Sequence, residues 1–322
     1  MAGGFDMGAQ SITEKGVKGE FFSALERSLA GHWVSDLALA TGSDQALEQH
    51  VWIWGEPMRE WVAGRFARAA REDGIGIRNR TFEGTIEAFL DEIRRDKTSQ
   101  VMLRVRDLSA RSVELWAKMI AELVSAGETE TCYDGQPFFN PAHVRQQTGL
   151  DANPQSNRFT SPAASPTAPT GEEILAAVWV GIQAILTVVD YDLEHMNLGA
   201  TRFTVFMPAG YAAAAGRAFN CPALIRREGR IVDVQASLGG GIIVRLVPMP
   251  STWLGWTDRI AVFRADGDTA KAFIRQEEHI TISESPAGGQ TAFNEDKRLY
   301  GVSSSRGVGF GLWEHAALVQ FT

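Results

Sequence analysis

One stretch constrains this chain more than any other. Between residues 98 and 126, Val101, Val105, Leu108, Leu115, Met119 and Leu123 recur at close to 3.5-residue spacing, and Trp116 and Ile120 widen the stripe. That period predicts a single amphipathic helix. Thr98 or Ser99 can cap its start and Gly127 can stop it. At 1.5 Å per residue such a helix is roughly 40 Å long. Its polar side carries Arg104, Arg106, Arg111 and Lys118 against Asp107, Glu114 and Glu122. Two readings of that side stand: a solvated helix face, or a weakly basic surface turned toward nucleic acid.

The rest of the chain is organised around this helix. Residues 1–50 read as an arm, Gly-rich and polar at first, with a short helix marked by Phe21, Phe22, Leu25 and Leu29. Residues 51–96 read as an extended excursion. Val51-Trp52-Ile53-Trp54 is strand-like and stops at Gly55 and Pro57, and the alternation from Gly74 to Ile86 favours a second strand. The two limbs differ in charge. Arginines 59, 65, 68, 71, 78 and 80 make the first basic, and Glu83, Glu87, Asp91, Glu92 and Asp96 make the second acidic. Either the limbs form a hairpin whose charges pair within the chain, or the excursion lies on a neighbouring copy and uses the charges for register.

After the helix, Cys132-Tyr133-Asp134-Gly135-Gln136-Pro137-Phe138-Phe139-Asn140-Pro141-Ala142-His143 predicts a tight Asp-Gly turn between two short strands. Residues 148–170, rich in Pro, Ser, Thr and Ala, predict a long exposed loop. From Glu172 the pattern is mixed α/β, with a helix from Ile174 to about Leu193 and strands at Thr201–Met207, Ile231–Val234, Gly241–Val247, Arg259–Phe263, Ala272–Ile282 and Leu299–Val302. A small-residue helix is expected from Ala209 to Phe219. The tail from Gly307 to Val319 is apolar enough to be docked.

Composition sets outer bounds. With 322 residues and 44% hydrophobic content, the chain can bury a core in two or three sub-domains. A net charge of -8 argues against a dedicated nucleic-acid-binding module without excluding one basic face. The N-terminus has no secretory pattern, and the apolar run Ile174–Val189 is too short for a membrane span, so a soluble product made in the cytoplasm with no membrane partner is expected.

The search for an active site yields little. There is no G-x-S-x-G elbow, Walker A loop or H-E-x-x-H motif in the sequence. Gly239-Gly240-Gly241 opens a strand instead of a helix, and Gly307-x-Gly309-x-Gly311 reads as close backbone packing. Asp190, Asp192, Glu194 and His195 are metal-type residues that do not converge on one helix face, and a solvated helix end accounts for them. Glu277-Glu278-His279 reads as a structural strand. Cys132 and His143 could approach across the Asp-Gly turn, but no third group is evident to orient a nucleophile. Cys132 and Cys221 read as reduced, buried thiols. No enzyme activity, cofactor or metal is expected.

From Gly55 to His143 the chain resembles the major head subunits of Mu-like phages. The matching stretches are Arg59-Glu60-Trp61-Val62-Ala63-Gly64-Arg65, Gly74 to Thr85 with Asn79-Arg80-Thr81-Phe82-Glu83-Gly84-Thr85, and the run from Cys132 to His143, in order around the long helix. The resemblance implies an α+β fold of the Hong Kong 97 capsid type. It implies an N-terminal arm at 1–50, an extended E-loop at 51–96, a first part of the peripheral domain at 97–147 holding the spine helix, the exposed loop at 148–170, an axial domain at 171–257, and a return to the peripheral domain at 258–322. It implies E-loop contacts to a neighbour through Trp61, Arg65, Arg68, Arg78, Arg80, Phe82, Glu83 and Glu87. It implies a DNA-facing spine helix with Arg104, Arg106, Arg111 and Lys118, and a structural motif in Tyr133, Asp134, Gly135, Phe138, Phe139 and His143. The implied function is a shell subunit of the virion capsid, assembled in the host cytoplasm as homopentamers and homohexamers around double-stranded DNA held nonspecifically. Portal and a separate scaffolding protein are the implied partners, with a decoration protein as a further candidate. Some relatives cross-link through an E-loop lysine. Here Lys15 and Lys18 are the only lysines before Lys97, so no such bond is expected. The alternatives are an encapsulin-type compartment shell of the same fold and a soluble α/β enzyme.

Overall fold

The computed structural model describes residues 14–51, 74–89, 91, 100–143, 154–190, 193–220, 224–225, 231–232, 241–267, 271–285 and 295–322. Trp61, Arg65, Arg68, Cys221 and the expected caps Thr98 and Ser99 lie outside these residues.

The long helix is present as α3 (Gln100–Ala126), preceded in the chain by α1 (Glu14–Leu29) and α2 (Trp33–Leu37). Its buried side is broader than the stripe of large residues suggests. Val113, Val124, Ser109, Ala117 and Ala121 are buried along with Val101, Val105, Trp116, Met119 and Ile120. Gly127 follows its last residue, and a side chain there would stand 2.7 Å from the Phe139 ring. Helix α1 lies along the first half of α3, with Val17, Phe21 and Leu25 packed with Val101, Val105 and Val113. The buried Ser109 hydroxyl lies within hydrogen-bond distance of the Val105 and Phe21 carbonyls, tying the two helices at one point.

A first sheet packs beside the helix pair. It contains β1 (Ala38–Gly42), β4 (Arg80–Phe89), β11 (Phe273–Glu277), β12 (Thr281–Glu284) and β13 (Lys297–Phe310). Strand β13 holds it together: its first part pairs antiparallel with β4 and β12, and its end pairs with β11. Strand β1 runs parallel to β11, so residues 38–42, expected to belong to an arm, are a sheet strand. The glycines at the end of β13 allow another strand, β3 (Gly74–Arg78), to cross closely. A Cβ at Gly309 would lie 2.5 Å from Ile77 Cδ1, and one at Gly307 2.7 Å from Ile77 Cγ2. Close packing is therefore what this glycine repeat does.

The second sheet has the order β5 (Arg158–Ser161), β14 (Ala316–Phe321), β10 (Arg259–Arg264), β6 (Arg202–Pro208), β9 (Ile243–Met249). Helices α4 (Gly171–Thr187) and α5 (Ala212–Asn220) cover it, and Ile174, Val178, Ile182 and Ile185 meet Val205, Ile260, Val262 and Val319. Gly181 lets α4 approach, since a Cβ there would sit 2.6 Å from Val262 Cγ2. Strands β10 and β14 join β6 and β9 here, while β11, β12 and β13 belong to the first sheet, so residues 258–322 serve both sheets. A central cluster including Trp116, Phe138, Phe139, Phe206, Phe263, Phe273, Phe310 and Trp313 joins the layers. The short pair β7 (Leu224–Ile225) and β8 (Ile231–Val232) and the one-turn α6 (Ser251–Leu254) complete the elements.

Four expectations need correction. The 148–170 stretch is not a single exposed loop: Arg158–Ser161 is a strand parallel to β14, and Asn157 and Ser161 are buried. The helix begun by the Thr170–Glu173 capping box stops at Thr187, six residues before Leu193. It gives way at the β-branched Val188-Val189 to a turn closed by a Val189–His195 bridge. The Asp-Gly turn has no flanking strands; a lone bridge between Thr131 and Pro137 holds it. The run Ala272–Ile282 is likewise two strands, with Glu278 and His279 between them.

Candidate assembly surfaces and the Asp134 hub

The Asp-Gly turn is the root of a polar hub. Gly135 takes φ +77°, the left-handed region that glycine enters without strain. This turns Asp134 inward, where its Oδ1 accepts from the Gln136 N–H at 2.9 Å and from the Cys132 thiol at 3.0 Å. Its Oδ2 lies 2.6 Å from His143 Nδ1. The other ring nitrogen of His143 faces Asn157 Oδ1 at 3.3 Å, and its ring stacks on Trp313 at 4.0 Å with an interplanar angle of 3°. Asn157 in turn accepts from the Asn140 N–H and donates to the Phe138 carbonyl, and Tyr133 donates to Glu314 at 2.7 Å. Four of the six motif residues, Tyr133, Asp134, Gly135 and His143, are thus parts of one lock. The other two, Phe138 and Phe139, sit beneath it in the central core.

Sequence reasoning found no third group beside Cys132 and His143; the structure supplies Asp134. Its position argues against a Cys132–His143 nucleophile pair. Asp134 binds the thiol and the imidazole through separate oxygens, so the thiol donates to the carboxylate and not to the imidazole. Burial pushes the Cys132 thiol far up, away from thiolate. Burial alone would also raise the Asp134 carboxyl, but hydrogen bonds from His143, Cys132 and the Gln136 N–H outweigh it and hold the group below its usual value. The three side chains could in principle hold a metal ion, since their ligand atoms lie within 4.8 Å of one another. A tetrahedral zinc, with bonds of about 2.0–2.3 Å, would set its ligands roughly 3.3 Å or more apart. Contacts of 2.6 and 3.0 Å are hydrogen bonds with no space for an ion between them.

The other expected site residues that the structure describes lie on β3, β4 and α3. Among the described residues, the two strands of the 51–96 excursion, β3 and β4, do not pair with each other. Strand β3 pairs with β2 (Leu47–Val51), and β4 pairs with β13. Their junction is clamped by Gln276, which is fully buried. It donates to the Ile77 carbonyl and to Asn79 Oδ1, and its own oxygen faces His50 at 2.9 Å. Arg78, Arg80, Glu83 and Glu87 are exposed, whereas Phe82 packs against the central core with Arg80 over its ring. Glu87 pairs with Lys297 at 3.1 Å, and Glu83 accepts from Thr85.

On α3 the four basic residues are not one surface. Arg104, Arg111 and Lys118 follow one another at heptad spacing, while Arg106 faces α1 and pairs with Glu20 at 2.5 Å. That bond holds the Glu20 carboxyl below its usual value. Arg111 pairs with Asp107 at 2.8 Å, Lys118 with Glu122 at 3.7 Å, and Arg104 donates to the Glu87 carbonyl. The exposed side is therefore a row of alternating charge. Sequence reasoning missed two further clamps that tie elements together. Glu128 receives Arg158 and Arg259, and Asp36 receives Arg245 at 3.1 Å. Among the described residues, no helix is long and apolar enough to cross a membrane.

Comparison with known proteins gives these surfaces a context. Residues 11–167, just under half of the chain, match the family described as Mu-like prophage major head subunit gpT. The major capsid protein of Escherichia phage Mu is 28% identical over 108 residues, 33% of this chain and 35% of that protein. The Mu-like prophage FluMu major head subunit of Haemophilus influenzae is 24% identical over 110 residues, 34% of this chain and 36% of that protein. The aligned part of the chain thus spans about a third of the length of these curated relatives. Among solved structures, the procapsid of bacteriophage JBD30 superposes with a TM-score of 0.51 at 19% identity, covering 95% of this chain and 74% of that one. The mature capsid of bacteriophage PhiM1 gives 0.51 at 9% identity, covering 90% and 87%. At such identities the structural likeness shows the fold alone. Residues 11–167 are similar to the Mu-like prophage major head subunits, and the chain has the α+β fold of the Hong Kong 97-type capsid proteins.

Proposed function

We propose that this chain is the major capsid protein of a tailed phage, a structural subunit that assembles with its own copies into pentamers and hexamers and closes an icosahedral head around double-stranded DNA. The observation that carries this reading is the family match across residues 11–167, on a chain of which 95% superposes on a phage procapsid subunit. The geometry supports it in a second way. Half-buried polar groups at the junctions of elements are consumed in locking those elements together, as at Asp134, Glu128 and Asp36, which suits a subunit that must hold its shape under lattice strain.

In this reading residues 51–96, with Trp61, Arg65, Arg68, Arg78, Arg80, Glu83 and Glu87, lie on a neighbouring copy, and Gln276 fixes the angle at which the excursion leaves the sheet. Helix α3 turns its charged row toward the interior of the head. Because that row alternates in sign, its attraction for DNA phosphates is weak and nonspecific, resting on Arg104, Arg111 and Lys118 beside Asp107, Glu114 and Glu122. Portal and a separate scaffolding protein complete the assembly, which takes place in the host cytoplasm and ends in the virion capsid. The test is electron microscopy of the full chain co-expressed with its scaffolding partner. Closed shells of uniform size are expected; a monodisperse monomer under all such conditions would overturn the proposal.

A further inference from the structure

The corner between α1 and α2 is built around one histidine. Helix α1 ends at Leu29, Gly31 turns the chain at φ +74°, and His32 caps α2. The cap is a ring nitrogen: the Val34 N–H donates to His32 Nδ1 at 3.3 Å. An imidazole nitrogen accepts a hydrogen bond only while it carries no proton. The corner therefore needs the neutral ring, with its proton on Nε2.

Cations gather at the same corner. Arg245 on β9 donates to the Gly31 carbonyl at 3.0 Å and pairs with Asp36 at 3.1 Å. Arg202 on β6 stands 3.9 Å from the Asp36 carboxylate, and Lys271, just ahead of β11, donates to the Ser35 carbonyl. The acids that act on the ring are Asp36 on α2 itself and Glu114 on α3. Burial of the half-buried ring, and next the Arg245 guanidinium, outweigh those two acids and hold the His32 pKa below its ordinary 6.5.

We propose that His32 is an acid-released latch: its neutral ring fastens the α1–α2 corner against β9, and its protonation opens that corner. A proton on Nδ1 occupies the position that the Val34 N–H uses, so the capping bond is lost. The new charge also stands near Arg245, whose bonds to Gly31 and Asp36 hold the corner in place. The apolar side of α2 stays docked, because Trp33, Val34 and Leu37 are buried in the central core. Acid thus loosens the path by which α1 enters α2 and leaves the subunit folded. The latch belongs to the single subunit and is independent of shell assembly.

A depressed histidine stabilises the closed corner above pH 6.5, and that contribution is lost as pH falls toward the lower, closed-state value. One linked proton raises the opening constant by at most about tenfold per pH unit. Hydrogen exchange of the unassembled full chain, corrected for the intrinsic effect of pH on exchange, tests this at the His32, Val34 and Ser35 amides. From about pH 7.5 to about pH 5.5, opening there should increase at least about threefold. His32→Asn supplies a capping oxygen that takes no proton, and should flatten the profile. If that variant fails to fold, NMR of the unaltered chain carries the test: Nδ1 should be unprotonated at neutral pH, and the ring should titrate below 6.5. A flat profile in the unaltered chain, a rise that persists in His32→Asn, or a ring that titrates at or above 6.5 overturns the proposal.

Discussion

Removing the Asp134 side chain tests whether the hub is a structural lock. Asp134→Ala deletes the acceptor of three donors: His143 Nδ1, the Cys132 thiol and the Gln136 N–H. His143 is fully buried, so its ring nitrogen would be left facing no acceptor. Breaking a buried hydrogen-bonded pair from one side costs about 3–5 kcal/mol. Asp134 itself is only partly buried, and its desolvation is recovered on removal, so the lower end, about 3 kcal/mol, applies. At roughly 2.1 cal/mol/K per residue, a chain of this length unfolds with an entropy of about 0.7 kcal/mol/K, giving a fall in Tm of about 4 °C. A smaller cooperative unit would shift further. Asp134→Asn keeps the shape and an acceptor and should lose about half as much. The assay is thermal melting of the unassembled subunit at pH 7.

Its pH dependence is a stricter check. The folded carboxyl of Asp134 is depressed, so its stabilisation is complete above the ordinary value of 3.8 and is lost as pH falls through the lower, folded value. The gap between the unaltered chain and Asp134→Ala should therefore hold steady from pH 7 down to about 5 and close below 3.8. A variant that melts within 1 °C of the unaltered chain at pH 7, or a gap that widens on acidification, would refute the lock.

Other expectations follow from particular contacts. Gly309→Val should cost about 1–3 kcal/mol through collision with Ile77, and Ile77→Ala in the same chain should restore part of the loss, read from urea midpoints. Thr170→Ala removes the side-chain half of the α4 capping box and should cost about 1 kcal/mol in the same assay. Replacing Arg104, Arg111 and Lys118 together with Gln should leave the subunit's stability within about 1 kcal/mol, because their partners are exposed. Mature particles should run as a single monomer band on denaturing gels, since no lysine precedes Lys97 beyond Lys18; a covalent ladder would contradict this.

What the sequence made legible was local. The stripe from Val101 to Leu123 defined α3 because a helix writes its period into consecutive residues. The apolar tail signalled docking, and β14 lies second in its sheet, flanked on both sides. Strand β5 was missed because Arg158-Phe159-Thr160-Ser161 offers one large apolar residue and takes its place at the sheet edge from β14, over 150 residues away. Helix α4 was read too long because Val188 and Val189 continue its apolar run while their branched side chains favour the extended backbone they adopt. At the hub, Asp134-Gly135 was readable as a turn, but no spacing announces that Asn157 and Trp313 will close around His143.

The same limit shaped the reading of the charged surfaces, and there it bears on function. Basic residues on α3 and acids on β4 looked available in sequence, yet most are engaged within the subunit: Arg106 by Glu20, Arg111 by Asp107, Lys118 by Glu122 and Glu87 by Lys297. All of these pairs are at the surface, and such pairs contribute about 0.2–1 kcal/mol each. A shell contact that recruited one of them would first have to break a bond of that size, so the net gain per contact would be small. Under the proposed function this is an advantage. A lattice built from many weak, exchangeable pairs lets a misplaced subunit leave, while the half-buried locks at Asp134, Glu128 and Asp36 keep the subunit itself unchanged as it does so. Rigidity then resides in the interior and reversibility on the surface.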